Sequence, residues 1–144
     1  MKRTTGQCRS RRVPSGAKAA VSAIRELLRS QAEVGWDGAL ASAADPYAIV
    51  RAVAFVRAMP EDCAPPEVGV DPDGSVSLDW IASRGCMLTI GVAGHDGRLA
   101  CAWIDAADSG HAVAWFNGGK VPARAVRAIH AVMEASSRSV LSIA

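Results

Sequence analysis

The chain has 144 residues, half of them apolar and 21% charged, with a formal net charge of +2 at neutral pH. That length can bury a sizeable core without staples, and that composition is globular rather than disordered. No window of ~20 mostly apolar residues is present, so a spanning helix of ordinary length is excluded as well.

Charge is unevenly placed. Up to Arg29 there are eight basic residues (Lys2, Arg3, Arg9, Arg11, Arg12, Lys18, Arg25, Arg29) against Glu26 alone. From Glu33 to Asp79 nine acids face only Arg51 and Arg57. Residues 1–14 have no apolar periodicity and are expected to form a disordered basic arm. Such an arm serves either as a solubilising tail or as a contact for nucleic acid, an anionic surface or an acidic partner. Ser10-Arg11-Arg12 resembles part of a twin-arginine signal, but Lys18 and Arg25 interrupt the stretch that follows, so export is not expected. A cytoplasmic location with reduced thiols is expected. Cys8, Cys63, Cys86 and Cys101 lie far apart without a CxxC pair, which suggests neither a zinc ribbon nor a dense disulfide framework. No cofactor, structural metal or obligatory disulfide is expected.

The first helix is read over Ser15 to Val34. Val21, Ile24, Leu27 and Leu28 recur at helical spacing, and Gly35 is placed to stop it. Gly35-Trp36-Asp37-Gly38 is a turn holding a large aromatic. Asp45-Pro46 supplies an N-cap and a proline at the first helical position, and opens a second helix with Ile49, Ala52, Val53, Val56 and Met59 as its apolar stripe. Pro60 ends that helix, and the proline-rich link to Pro66 crosses from helices to sheet.

From Val68 the period changes to two. Val68 and Val70 precede the reverse turn Asp71-Pro72-Asp73-Gly74, after which Val76, Leu78 and Trp80 alternate with Ser75, Ser77 and Asp79. Further strands are read at Cys86 to Ala93 and Leu99 to Asp105, with a short fifth at Ala112 to Phe116 unless a long loop replaces it. Asn117-Gly118-Gly119 ends the sheet, and Pro122 opens a last helix with Val126, Ile129, Val132 and Met133 on one face. Short turns between strands require antiparallel pairing. The expected fold class is α+β: two N-terminal helices, an antiparallel four- or five-stranded meander and a C-terminal helix. The helices lie mainly on one sheet face, and residues 15–144 form a single domain.

Chemical motifs are incomplete. Asp71-Pro72-Asp73-Gly74 fails the spacing of a calcium loop, and Gly118-Gly119-Lys120 lacks the first glycine and the Ser or Thr of a phosphate loop. His95, His111 and His130 are read as turn, loop and helix-boundary residues, and no pair has metal-ligand spacing. A nucleophilic triad could still assemble in space from a histidine, a cysteine and an acid. Trp80 and Trp103 share parity with the core. Trp36 is either a plug over the helix–sheet seam or a partner contact, with Asp37 beside it. The second sheet face, with Ser75, Ser77, Asp79, Thr89, Gly91, Ala93, Ala100 and Ala102, is expected to be smooth and lacks base-stacking aromatics. It could meet water, a second subunit or a protein partner.

Trp36-Asp37-Gly38, a helix closing with Met59-Pro60, Pro66-x-Val68 and Asp71-Pro72-Asp73-Gly74-x-Val76-x-Leu78-x-Trp80 together resemble a family of small uncharacterised bacterial proteins. The resemblance spans roughly Ile24 to Arg98, with Ala39, Ala41 and Pro46 corresponding loosely to small residues and a proline that follow the W-D-G. It implies a bacterial origin and this order of elements, and it names no active residue.

The function expected first is a protein-interaction, regulatory or accessory module without catalytic activity, with a protein partner or a homodimer as its complex. The alternative is sequence-tolerant nucleic-acid binding through Lys2, Arg3, Arg9, Arg11 and Arg12, extended by Arg124 and Arg127 on the last helix. A small hydrolase or transferase is the third reading. A pocket converging on a histidine, a cysteine and an acid would promote it.

Overall fold

A computed structural model describes residues 15–33, 35, 41–105 and 108–141, in the order α1 (Ser15–Ser30), α2 (Pro46–Ala58), β1 (Glu67–Val70), β2 (Val76–Ser83), β3 (Cys86–Val92), β4 (Arg98–Asp105), β5 (Asp108–Trp115) and α3 (Ala123–Leu141). The five strands form one antiparallel meander in the order β1-β2-β3-β4-β5. The expected arm, residues 1–14, lies outside the described residues.

Local chemistry sets most of the boundaries. Asp45 caps α2, its Oδ1 accepting the Tyr47 N–H at 2.9 Å, and Pro46 occupies the first turn, where a missing N–H costs nothing. The Asp71–Gly74 turn closes with Gly74 N–H donating to the Asp71 carbonyl at 2.8 Å and Asp71 N–H to the Ser75 carbonyl at 2.9 Å. Gly74 has φ +89°, and a Cβ there would also stand 2.6 Å from the Ala43 carbonyl oxygen, so glycine is required twice over.

Strand alternation then sorts the side chains. Val76, Leu78, Trp80, Leu88, Ile90, Val92, Leu99, Cys101 and Ala114 face inward and are buried. They join Ala20, Val21 and Ile24 of α1, Ile49, Phe55 and Val56 of α2, and Ala125, Ile129 and Val132 of α3 in one buried cluster. Phe55 meets Phe116, just beyond β5, edge to face with ring centroids 5.4 Å apart. The helices therefore cover one face of the sheet, and among the described residues no helix covers the other.

Three readings change. α1 ends at Ser30, four residues before Val34, so Gly35, although its φ is +78°, does not stop the helix. β5 begins at Asp108 rather than Ala112, which places His111 in a strand opposite Ala102 instead of in a loop. Ser109 and Gly110 are weak strand formers, but Gly110 lies opposite Trp103, and only a residue without a Cβ fits beneath that indole. Cross-strand packing overrides local propensity there. The third change is on the open face.

Candidate functional site

The open face is not smooth. Its inward neighbours fix its membership by alternation: Ile81 on β2, Met87 on β3, Ala102 and Ile104 on β4, and Val113 and Trp115 on β5 all point outward. Ile81, Ile104, Val113 and Trp115 are 52%, 45%, 42% and 60% exposed. Between these larger groups Gly91, Ala100 and Ala102 form a shallow floor, with Gly91 opposite Ala100 and Val113 on the other side of Ala100. Polar groups lie among them. Arg98 is paired with Trp115, His111 with Ala102, and Thr89 Oγ1 donates to Asp79 Oδ1 across β2 and β3. Large apolar side chains at both ends of the face, with small and polar residues between them, can meet a protein surface.

A second feature joins the link after α2 to α3. His130, on the helix turn beside the buried Ile129, places Nε2 3.2 Å from Asp62 Oδ2 and 3.6 Å from Cys63 Sγ. The backbone around the cysteine is held from three directions. Cys63 N–H donates to the Pro60 carbonyl at 3.1 Å, Ala64 N–H to Met133 Sδ at 3.3 Å, and Trp80 Nε1–H to the Ala64 carbonyl at 2.8 Å. Burial, and then the neighbouring Asp62 carboxylate, push the Cys63 thiol up from its ordinary range.

This cluster is not a nucleophilic triad. In a triad one imidazole nitrogen serves the nucleophile and the other is oriented by the acid. Here the acid and the thiol share Nε2, and a thiol held protonated is a poor nucleophile. The hydrolase or transferase reading gains a histidine, a cysteine and an acid in one place but not their catalytic arrangement.

A cavity of about 710 Å³ opens between α3 and the β4–β5 edge, over Trp103, Ala112 and Ala128. Arg124 and Arg138 share its walls with Asp105 and Glu134, so its charge is mixed in sign. Arg127 is also exposed on α3. Mixed charge makes this part of α3 a poor phosphate-binding stripe. Trp36, Asp37, Lys2, Arg3, Arg9, Arg11 and Arg12 lie outside the described residues, so α3 alone of the expected nucleic-acid surface is placed. His95 is a hairpin residue whose Nε2 lies 3.7 Å from Asp96 Oδ2, with its side chain 81% exposed. In the Asp71–Gly74 turn, Asp73 Oδ1 accepts both the hydroxyl and the N–H of Ser75, which hold its carboxyl below the usual range. Asp73 is thereby committed to the hairpin.

The apolar open face was legible only in part. Inward Trp103 implies outward Ile104, so carrying the alternation through β4 and β5 finds the apolar open face. Nothing in the spacing of Cys63 and His130, 67 residues apart, signals their meeting.

No helix among the described residues is long and apolar enough to cross a membrane. Comparison of the chain with protein-family models, curated proteins and solved structures gives no match.

Proposed function

We propose that this protein is a non-catalytic interaction module, a small regulatory or accessory protein, and that the open face of β2–β5 is where its protein partner docks. The observation that carries the reading is the set of outward Ile81, Ile104, Val113 and Trp115 around a floor of Gly91, Ala100 and Ala102. An antiparallel sheet with one wet face ordinarily turns polar side chains to water. Several large exposed apolar groups on one such face suit an interaction surface, and tryptophan is among the residue types most enriched at binding hot spots. The free thiols of Cys63, Cys86 and Cys101 fit work in a reducing cytoplasm, and the W-D-G and D-P-D-G motifs favour a bacterial host.

A photo-cross-linking residue at Ala102, compared with one at the exposed Arg57 of α2, tests the assignment in living cells. The reading expects a discrete adduct, with a second copy or another protein, from position 102 and none from position 57. It also expects Trp115→Asp to suppress the adduct. Equal labelling from both positions, or none, overturns it.

A further inference from the structure

We propose that Asp62, Cys63 and His130 form a binding site for a zinc-class divalent cation, with one carboxylate oxygen, one thiolate sulfur and one imidazole nitrogen as its ligands. The inference does not rest on the open sheet face. It begins from three ligand atoms of different chemistry that all lie within 4.8 Å of one another.

Two of the three separations match a tetrahedral metal, and the third, between the Asp62 carboxylate and Cys63 Sγ, lies within 4.8 Å, so closing the site asks for a small shift of the exposed Asp62 side chain. Tetrahedral zinc with bonds of about 2.3 Å to sulfur and about 2.05 Å to nitrogen and oxygen holds its sulfur and nitrogen ligands about 3.6 Å apart, and its nitrogen and oxygen ligands about 3.3 Å apart. Cys63 Sγ and His130 Nε2 are 3.6 Å apart, and His130 Nε2 and Asp62 Oδ2 are 3.2 Å apart. A single Nε2 directed at both an acid and a thiol can donate only one proton, whereas a cation among the three satisfies all of them.

The site is also held in place. Two ligands are consecutive in a segment whose backbone is tied to Pro60, Met133 and Trp80, and the third stands on α3 beside the buried Ile129. Ligands fixed before binding lose little freedom when the ion arrives. The Asp62 and His130 side chains are 70% and 37% exposed, which provides a path for the ion and a side from which water completes four-coordination. Thiolate and imidazole donors select zinc or cobalt over magnesium and calcium, which prefer all-oxygen shells. Binding breaks the Cys63 S–H bond, forms a metal–sulfur bond and delivers the proton to solvent.

The test uses the reduced full-length chain, stripped with chelator and titrated with Zn²⁺ against a chromophoric competitor, and with Co²⁺ followed by absorption. The site predicts close to one equivalent of either ion, a thiolate-to-cobalt charge-transfer band and the intense visible bands of tetrahedral cobalt. Cys63→Ser should remove the charge-transfer band and weaken Zn²⁺ binding by more than about tenfold, the lower bound for losing even an outer-shell partner. His130→Gln should weaken binding likewise, while Cys8→Ser, Cys86→Ser and Cys101→Ser leave it unchanged. Circular dichroism checks each variant. Should His130→Gln fail to fold, the near-isosteric Cys63→Ser decides alone. Absence of binding by the wild type, or a charge-transfer band that survives Cys63→Ser, overturns the proposal.

Discussion

Trp80 of β2 donates its indole N–H to the Ala64 carbonyl at 2.8 Å, across 16 residues of sequence. The bond fastens the proline-rich link to the sheet and so fixes the peptide that follows Cys63. Trp80→Phe keeps most of the ring volume and removes the donor, leaving a partly buried carbonyl without that partner. The expected cost is about 1–3 kcal/mol, read as a lower denaturant midpoint at unchanged slope. A variant as stable as the wild type would show that the bond fixes nothing.

Trp103 and Gly110 face each other across β4 and β5, and a Cβ on Gly110 would approach Trp103 Cζ2 to 2.4 Å. Gly110→Ala therefore forces the indole to move, with an expected loss of about 1–3 kcal/mol from overpacking. Trp103→Leu frees the space, so in a double-mutant cycle Gly110→Ala should cost much less in that background. Additive losses would contradict the contact.

Much of the fold follows from local chemistry that a sequence displays. Asp45-Pro46 starts α2, Asp71–Gly74 closes the first hairpin, and Val76, Leu78 and Trp80 declare the inward face of β2. What stays hidden is set by partners distant in sequence. β5 extends back to Asp108 with Gly110 passing beneath Trp103, a contact no local propensity encodes. The Asp62–Cys63–His130 cluster needs α3 laid against the link, and in the sequence His130 reads only as a neighbour of an apolar stripe. The exposed Trp115 follows from strand parity, but only once the register of β5 is known.

Burial first, and then Asp62, raise the Cys63 thiol, and burial raises Cys101 against the opposing pull of Arg124. In chelator-treated buffer the native state thus keeps these protons to higher pH than the unfolded chain, whose thiols titrate near about 8.5. Their contribution to stability is full below that pH and is lost as the pH rises through the folded values. The melting midpoint should fall on the alkaline side, and fall less in Cys63→Ser, with Cys101 supplying the remainder. Superimposable profiles would exclude a raised Cys63.

Nucleic-acid binding is separable by salt. With Arg124 and Arg138 sharing walls with Asp105 and Glu134, the described part of α3 should add no phosphate contacts. Fluorescence anisotropy with duplex DNA should show no steep salt dependence. A log-log slope near about −4, lost on deleting residues 1–14, would instead assign four or five phosphate contacts to the arm. Weakening by charge reversal at Arg124 and Arg127 would extend that footprint to α3.

The interaction surface itself is tested most directly by quantitative co-purification from cells of origin after mild cross-linking. Three tagged forms are compared: the wild type, Ile104→Asp/Trp115→Asp on the open sheet face, and Tyr47→Asp/Val50→Asp on α2, where both side chains are also strongly exposed. Asp is a weak strand former, so melting midpoints measured on all three forms serve as the control that the sheet variant still folds. The prediction is a discrete partner, a second copy or another chain, retained by the wild type and the α2 variant and lost from the sheet variant. Retention by the sheet variant, or loss caused by the α2 changes instead, would contradict the assignment of the open face.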